Sequence, residues 1–144
     1  MSENEFEEKI KQNKNSEMIK DFLVINCTGK KDFIGLRLND KFFIQVFQTN
    51  IKNNDTLVNS IMKFLKKYNV NISNNFTIIV NLGPGSFSSI RVSLAVAKGI
   101  QISRKTKLYG YKDLQISEFN LKNIEYLIKN NLLENKLIKP VYIS

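Results

Sequence analysis

The sequence predicts an α/β fold, one mixed five-stranded sheet with helices on its faces. Three observations carry this. Three β-rich runs separated by short turns come first, as an antiparallel meander requires. Helix-period segments then alternate with short apolar runs, the order that builds strand–helix–strand crossovers. Finally, the chain has 144 residues, 42% of them hydrophobic, enough for one domain with a sizeable core and too few for two.

Residues 1–20 are polar and Glu-rich, unlike a secretory signal, and read as an N-terminal extension to a domain spanning 21–144. Phe22-Leu23-Val24-Ile25 is a continuous apolar run, the mark of a strand buried on both faces. Thr28 to Asp32 reads as a turn, Phe33 to Leu38 as a strand, Asn39-Asp40-Lys41 as a short turn, and Phe42 to Phe47 as the next strand. The period then changes. Asp55 or Thr56 can cap a helix in which Leu57, Val58, Ile61, Met62, Leu65 and Tyr68 form a wide apolar stripe. Phe76 to Val80 is another buried strand. From Ser86 to about Ser103 the chain reads as helix, with Phe87, Ile90, Leu94, Ala97 and Ile100 on one stripe. The small residues Ser93, Ala95, Ala97 and Gly99 allow close packing there. Lys107 to Gly110 is a brief strand, Leu121 to Leu133 an amphipathic helix, and Pro140 to Ile143 a closing strand or tail.

Composition excludes several chemistries. The chain contains no histidine, which removes Ser-His-Asp triads, Cys-His pairs and His-ligated metals. A single cysteine, Cys27, rules out an internal disulfide and Cys-cluster metal sites, so no metal and no cofactor are expected. A reducing, cytoplasmic setting fits. No apolar run approaches the ~20 residues of a spanning helix, so no membrane contact is expected. The net charge is +9, and no carboxylate occurs between Asp55 and Asp113. That stretch holds nine bases: Lys63, Lys66, Lys67, Arg91, Lys98, Arg104, Lys105, Lys107 and Lys112. It supplies no acid for proton transfer or metal binding, and its positive field suits phosphates, nucleic acid or an acidic protein face.

One motif carries chemical content. Gly83-Pro84-Gly85-Ser86 joins a buried strand to a helix: the glycines open backbone angles closed to other residues, proline fixes its own, and Ser86 can cap the helix. Amides at such a helix start suit an anion. The loop lacks the Gly-Lys-Ser/Thr of a Walker A sequence, and Ser88 stands at the third glycine of a dinucleotide fingerprint. Ser86 has no histidine to activate it, so a nucleophile elbow is excluded.

Taken as a string, Asn81-Leu82-Gly83-Pro84-Gly85-Ser86-Phe87-Ser88-Ser89-Ile90-Arg91, followed by Ala95-Val96-Ala97-Lys98-Gly99, resembles the signature of the bacterial TsaB (YeaZ) family. Asn26-Cys27-Thr28 stands where that family has Asp-Thr-Ser, and Lys139-Pro140-Val141-Tyr142-Ile143 is similar to its tail. The resemblance implies a single actin/Hsp70-like lobe (ASKHA, ribonuclease H-like), with a short C-terminal helix and tail in place of the second lobe. It also implies a noncatalytic scaffold subunit in making threonylcarbamoyladenosine on tRNA, paired with a TsaD-like catalytic subunit. The family pairs through two helices, which map to residues 56–68 and 86–103. The expected partner-facing residues are Leu57, Ile61, Met62, Leu65, Phe87, Ile90, Leu94 and Ala97. Gly83, Pro84, Gly85, Ser86 and Arg91 are the expected motif loop, a vestige of an anion site, because Asn26, Leu82 and Ser89 replace the family's Asp, Arg and Gly. A homodimer through the same helices and a weak or indirect tRNA contact are further expectations. The alternative reading is a basic RNA- or phosphate-binding module without enzymatic activity.

Overall fold

β1 (Phe22–Asn26), β2 (Phe33–Leu38) and β3 (Lys41–Val46) make the expected meander in the computed structural model, which describes residues 19–135. There follow α1 (Asn54–Lys67), β4 (Thr77–Asn81), α2 (Phe87–Arg104), β5 (Lys107–Tyr111), a 3-10 turn (Asp113–Gln115) and α3 (Leu121–Lys129). Residues 1–18 of the N-terminal extension, and the Lys139 to Ile143 tail, lie outside the described residues.

The sheet order is β3-β2-β1-β4-β5. β1 pairs antiparallel with β2, and β2 with β3; β1 pairs parallel with β4, and β4 with β5. The mixture follows from the connections. Tight turns return a strand antiparallel, whereas a helix carries the chain across the sheet and brings it back parallel. β1 therefore sits at the centre, and all five of its residues are buried.

The alternation along β1 and β4 divides the core in two. Leu23, Ile25, Ile78 and Val80 point to the face covered by α1 and α2, where they meet Leu57, Ile61, Leu65, Ile90 and Ala97. Phe22, Val24 and Ile79 point to the other face, where Tyr111 and the α3 residues Ile124 and Leu127 close over them.

Local chemistry sets the element ends. Leu38 pairs with Lys41 across Asn39-Asp40, both at positive φ (50° and 68°), as a two-residue hairpin with the favoured twist demands. The cap of α1 is Asn53, whose side chain accepts from the Thr56 amide at 2.8 Å, rather than Asp55 or Thr56. α1 ends where Asn69 turns left-handed and Val70 N donates to Leu65 O at 2.9 Å. The same device stops α3 at Lys129, short of the expected Leu133. Asn131 adopts φ 55°, and Leu132 N donates to Leu127 O at 2.9 Å. The apolar periodicity runs on past that point, but the two asparagines at 130–131 end the helix.

Candidate functional site

The Gly83-Pro84-Gly85-Ser86 loop lies at the C-terminal edge of the sheet, between β4 and α2. Gly83 has φ 97°, its peptide bond to Pro84 is cis, and its amide donates to Asn81 Oδ1 at 2.8 Å. A Cβ on Gly85 would lie 2.5 Å from Thr28 O, so only glycine lets the loop press on the chain just beyond β1. Next to it, Ser86 N donates to Thr28 O at 2.8 Å. Ser86 Oγ accepts from Ser89 N at 3.3 Å and caps α2, as expected. The amides of Gly83, Ser86 and Ser89 are thus engaged by oxygens of the chain itself. Arg91 lies on the exposed side of α2, its guanidinium 5.9 Å from the Phe87 ring centroid.

Beside the loop, where the parallel strands β1, β4 and β5 end, four polar side chains close on one another. Open α/β sheets hold ligands at such strand ends. Here Asn26 Oδ1 accepts from Asn81 Nδ2 at 2.7 Å and from the Tyr111 hydroxyl. Asn81 Nδ2 also donates to Asp113 Oδ1 at 3.0 Å, and Lys30 Nζ stands 3.3 Å from Asp113 Oδ2. The inner part of the cluster is neutral, buried and paired. Burial, then the charge of Asp113, pushes the Tyr111 hydroxyl well above its usual range, so it remains a proton donor. Cys27 behaves alike: burial first, then Asp32, pushes its thiol up, and it stays a thiol rather than a nucleophilic thiolate. Among the described residues no group of three or more Cys, Asp or Glu side chains could hold a metal ion.

Asp32, Asn81, Tyr111 and Asp113 were missed as site residues by the sequence reading. Asp32 is fully buried and accepts from Gly29 N at 3.0 Å and Ile51 N at 2.7 Å. It thereby fixes the loop after β1. Its place in the Thr28 to Asp32 turn, a usual position for Asp, was the available signal. Asn81, two residues before Gly83 and placed to accept from the Gly83 amide, gives a second signal. Nothing local marks Tyr111 or Asp113.

The expected partner stripe divides. Met62 and Phe87 are exposed, at 51% and 57%. Leu57, Ile61, Leu65, Ile90, Leu94 and Ala97 lie inside the chain's own core, which replaces the expectation that they face a partner. The reason is geometric. The sheet takes the broadest apolar stripe of each helix, and only side chains beside that stripe are left outside. The outward side of α1 and α2 accordingly carries Val58, Met62, Phe87, Ala95, Gly99 and Ile102 among exposed polar and charged residues that include Asn59, Lys63, Ser88, Arg91 and Lys98. A Cβ on Gly99 would meet nothing within 4 Å, so this part of α2 is open to close approach.

A mixed sheet in the order 3-2-1-4-5, two helices on one face and one on the other, has the fold of a single actin-like lobe. In this one the central strand ends are sealed by neutral side chains. A family model described as TsaD, tRNA N6-adenosine threonylcarbamoyltransferase, matches residues 50–124, just over half of the chain, and the chain belongs to that family. Over 69 residues it is 41% identical to the tRNA threonylcarbamoyladenosine biosynthesis protein TsaB of Buchnera aphidicola subsp. Baizongia pistaciae (strain Bp). The match covers 46% of this chain and 30% of that protein, so the chain spans under a third of the relative's length. The fold is similar to that of YeaZ from Pseudomonas aeruginosa, with TM-score 0.61 at 15% identity, over 67% of this chain and 46% of the other. A second solved structure, an uncharacterized protein with similarity to peptidase YEAZ from the same organism, matches with TM-score 0.60 at 15% identity, covering 67% and 45%.

Proposed function

We propose that the chain is a noncatalytic scaffold subunit of the tRNA threonylcarbamoyladenosine modification machinery, docking on a TsaD-like catalytic subunit. The observation that carries this reading is the outward side of α1 and α2. Two neighbouring helices present Val58, Met62, Phe87 and Ile102 with the small Ala95 and Gly99 among them, a surface on which two further helices can pack as a four-helix bundle. The chemistry of the described residues supports a scaffold. Ser86 is occupied as a cap, Cys27 and Tyr111 hold their protons, and Asp113 is paired with Lys30. The motif loop serves this role by holding α2 at a set angle to the sheet. The reading places the protein in the cytoplasm, where a lone buried thiol is at home.

The test is light scattering on a size-exclusion column, with the chain alone and mixed with its TsaD-like subunit. A one-to-one complex is expected, and Val58→Glu and Ala95→Glu should each weaken it by ~30-fold or more, since a charge placed in a helix interface costs upward of ~2 kcal/mol. A complex indifferent to both, no complex at all, or a pair of identical chains in its place overturns the reading. The carboxylate-free stretch with its exposed Lys63, Lys66, Lys67, Lys98 and Lys105 favours a second reading, a basic RNA-binding module. Direct tRNA binding whose log K falls by ~0.7–0.9 per phosphate contact for each tenfold rise in salt would select it.

A further inference from the structure

We infer that the groove beside the C-terminal half of α1 is a docking site for an acidic amphipathic helix of another protein, one with Asp or Glu set beside Leu, Ile or Phe. The groove has a volume of about 580 Å³, enough for several side chains. Its floor is aliphatic, made by Met62, Leu65, Val70 and Ile72. Val70 and Ile72 pack against the core, and the bond from Val70 N to Leu65 O at 2.9 Å pins the connector in place. The floor is therefore formed before any ligand arrives, which lowers the ordering cost of binding.

The rim is cationic. Lys63, Lys66 and Arg104 line it, with Asn69 and Asn71 as neutral hydrogen-bonding groups, and no carboxylate does. Both helices end here, and each C-terminus contributes about half a negative charge. Three full positive charges outweigh them. The adjoining groove shares Asn69, Val70 and Asn71 and contains Asp21, but that carboxylate lies 3.7 Å from Arg37 Nη1. An occupant must therefore bring an apolar side for the floor and anions for the rim.

Two other occupants fit less well. A second copy offering the same groove would set like charges against each other. Single-stranded RNA wants aromatic platforms for its bases, and this floor has none. The ring of Tyr68 nearby is already stacked on Phe43, with centroids 4.1 Å apart. The groove shares Met62 with the outward side of α1 but is otherwise separate from the pairing surface proposed above. Lys63 and Lys66 test the groove, Val58 and Ala95 test the pairing, and either can fail alone.

The experiment is a titration of the ¹⁵N-labelled full chain followed by NMR. The probes are a ~15-residue amphipathic Leu/Glu peptide, the same peptide with Gln for Glu, and a ~10-residue oligouridine. The Leu/Glu peptide should shift amides of residues 62–72 and 104, saturably. Its affinity should fall ~tenfold or more in high salt or in the exposed double variant Lys63→Glu/Lys66→Glu, whose amide spectrum otherwise remains native. Equal binding of the Gln peptide, shifts outside the groove, no shift at millimolar peptide, or oligouridine binding there in place of the peptide overturns the inference.

Discussion

The side-chain amide of Asn81 donates to Asn26 Oδ1 at 2.7 Å, joining the ends of β4 and β1 across 55 residues of chain. The same oxygen receives the Tyr111 hydroxyl from β5, so one small acceptor holds three strand ends together. Removing it leaves two buried donors short of a partner. Asn26→Ala should therefore cost about 2–4 kcal/mol of folding stability, measured by urea unfolding. A cost below ~0.5 kcal/mol would mean that the cluster does not hold the strand ends.

The glycine loop makes a sharper demand. Gly85→Ala places a methyl 2.5 Å from Thr28 O, and backbone cannot move aside as a flexible side chain would. We expect a loss of about 1–3 kcal/mol and a shifted α2. An unchanged urea midpoint, with α2 amide shifts as in the wild type, would refute this.

Burial raises the pKa values of Cys27 and Tyr111 above their usual ranges in the folded chain, which suppresses their ionisation. The unfolded chain releases the Cys27 proton from about pH 8.5 and the Tyr111 proton from about pH 10. The folded state then holds more protons than the unfolded one, so stability is full below pH ~8.5 and falls as pH rises, by up to ~1.4 kcal/mol per pH unit for each group. Cys27→Ala should flatten that fall between pH ~8.5 and ~10. A thiol reagent at pH 8 should label Cys27 only as the chain unfolds. Labelling of the native chain at the rate of a free thiol would contradict the burial.

Inner and outer positions of α2 should respond oppositely. Ile90, fully buried, should cost about 2–5 kcal/mol on change to alanine. Ala95, on the exposed side of α2, should tolerate glutamate within ~0.5 kcal/mol and yet lose the proposed TsaD-like partner. Equal destabilisation by the two changes would argue against separate inner and outer sides.

Much of this was legible in the sequence because it is local. Hydrophobic period separates Phe22 to Ile25 from the helix at Leu57, and Asn39-Asp40 states its own turn. The Gly83 to Ser86 string fixes a strand–loop–helix joint and carries the family resemblance. Helix ends were less legible: Asn53 displaces Asp55 and Thr56 as the cap, and Asn131 stops α3 although the apolar pattern continues.

By itself, the sequence determined the order and type of the elements, the absence of histidine chemistry and the long interval without a carboxylate. Only the tertiary structure decided which side of each helix is inside, and it assigned Leu57, Ile61, Ile90 and Leu94 to the core while leaving Val58, Met62, Ala95 and Gly99 outside. It also gathered Asn26, Asn81, Tyr111 and Asp113, which are far apart in the chain, into one cluster. Periodicity is a property of neighbours along the chain, whereas the choice between two apolar stripes, and the meeting of distant strand ends, depends on which surface the packed sheet offers.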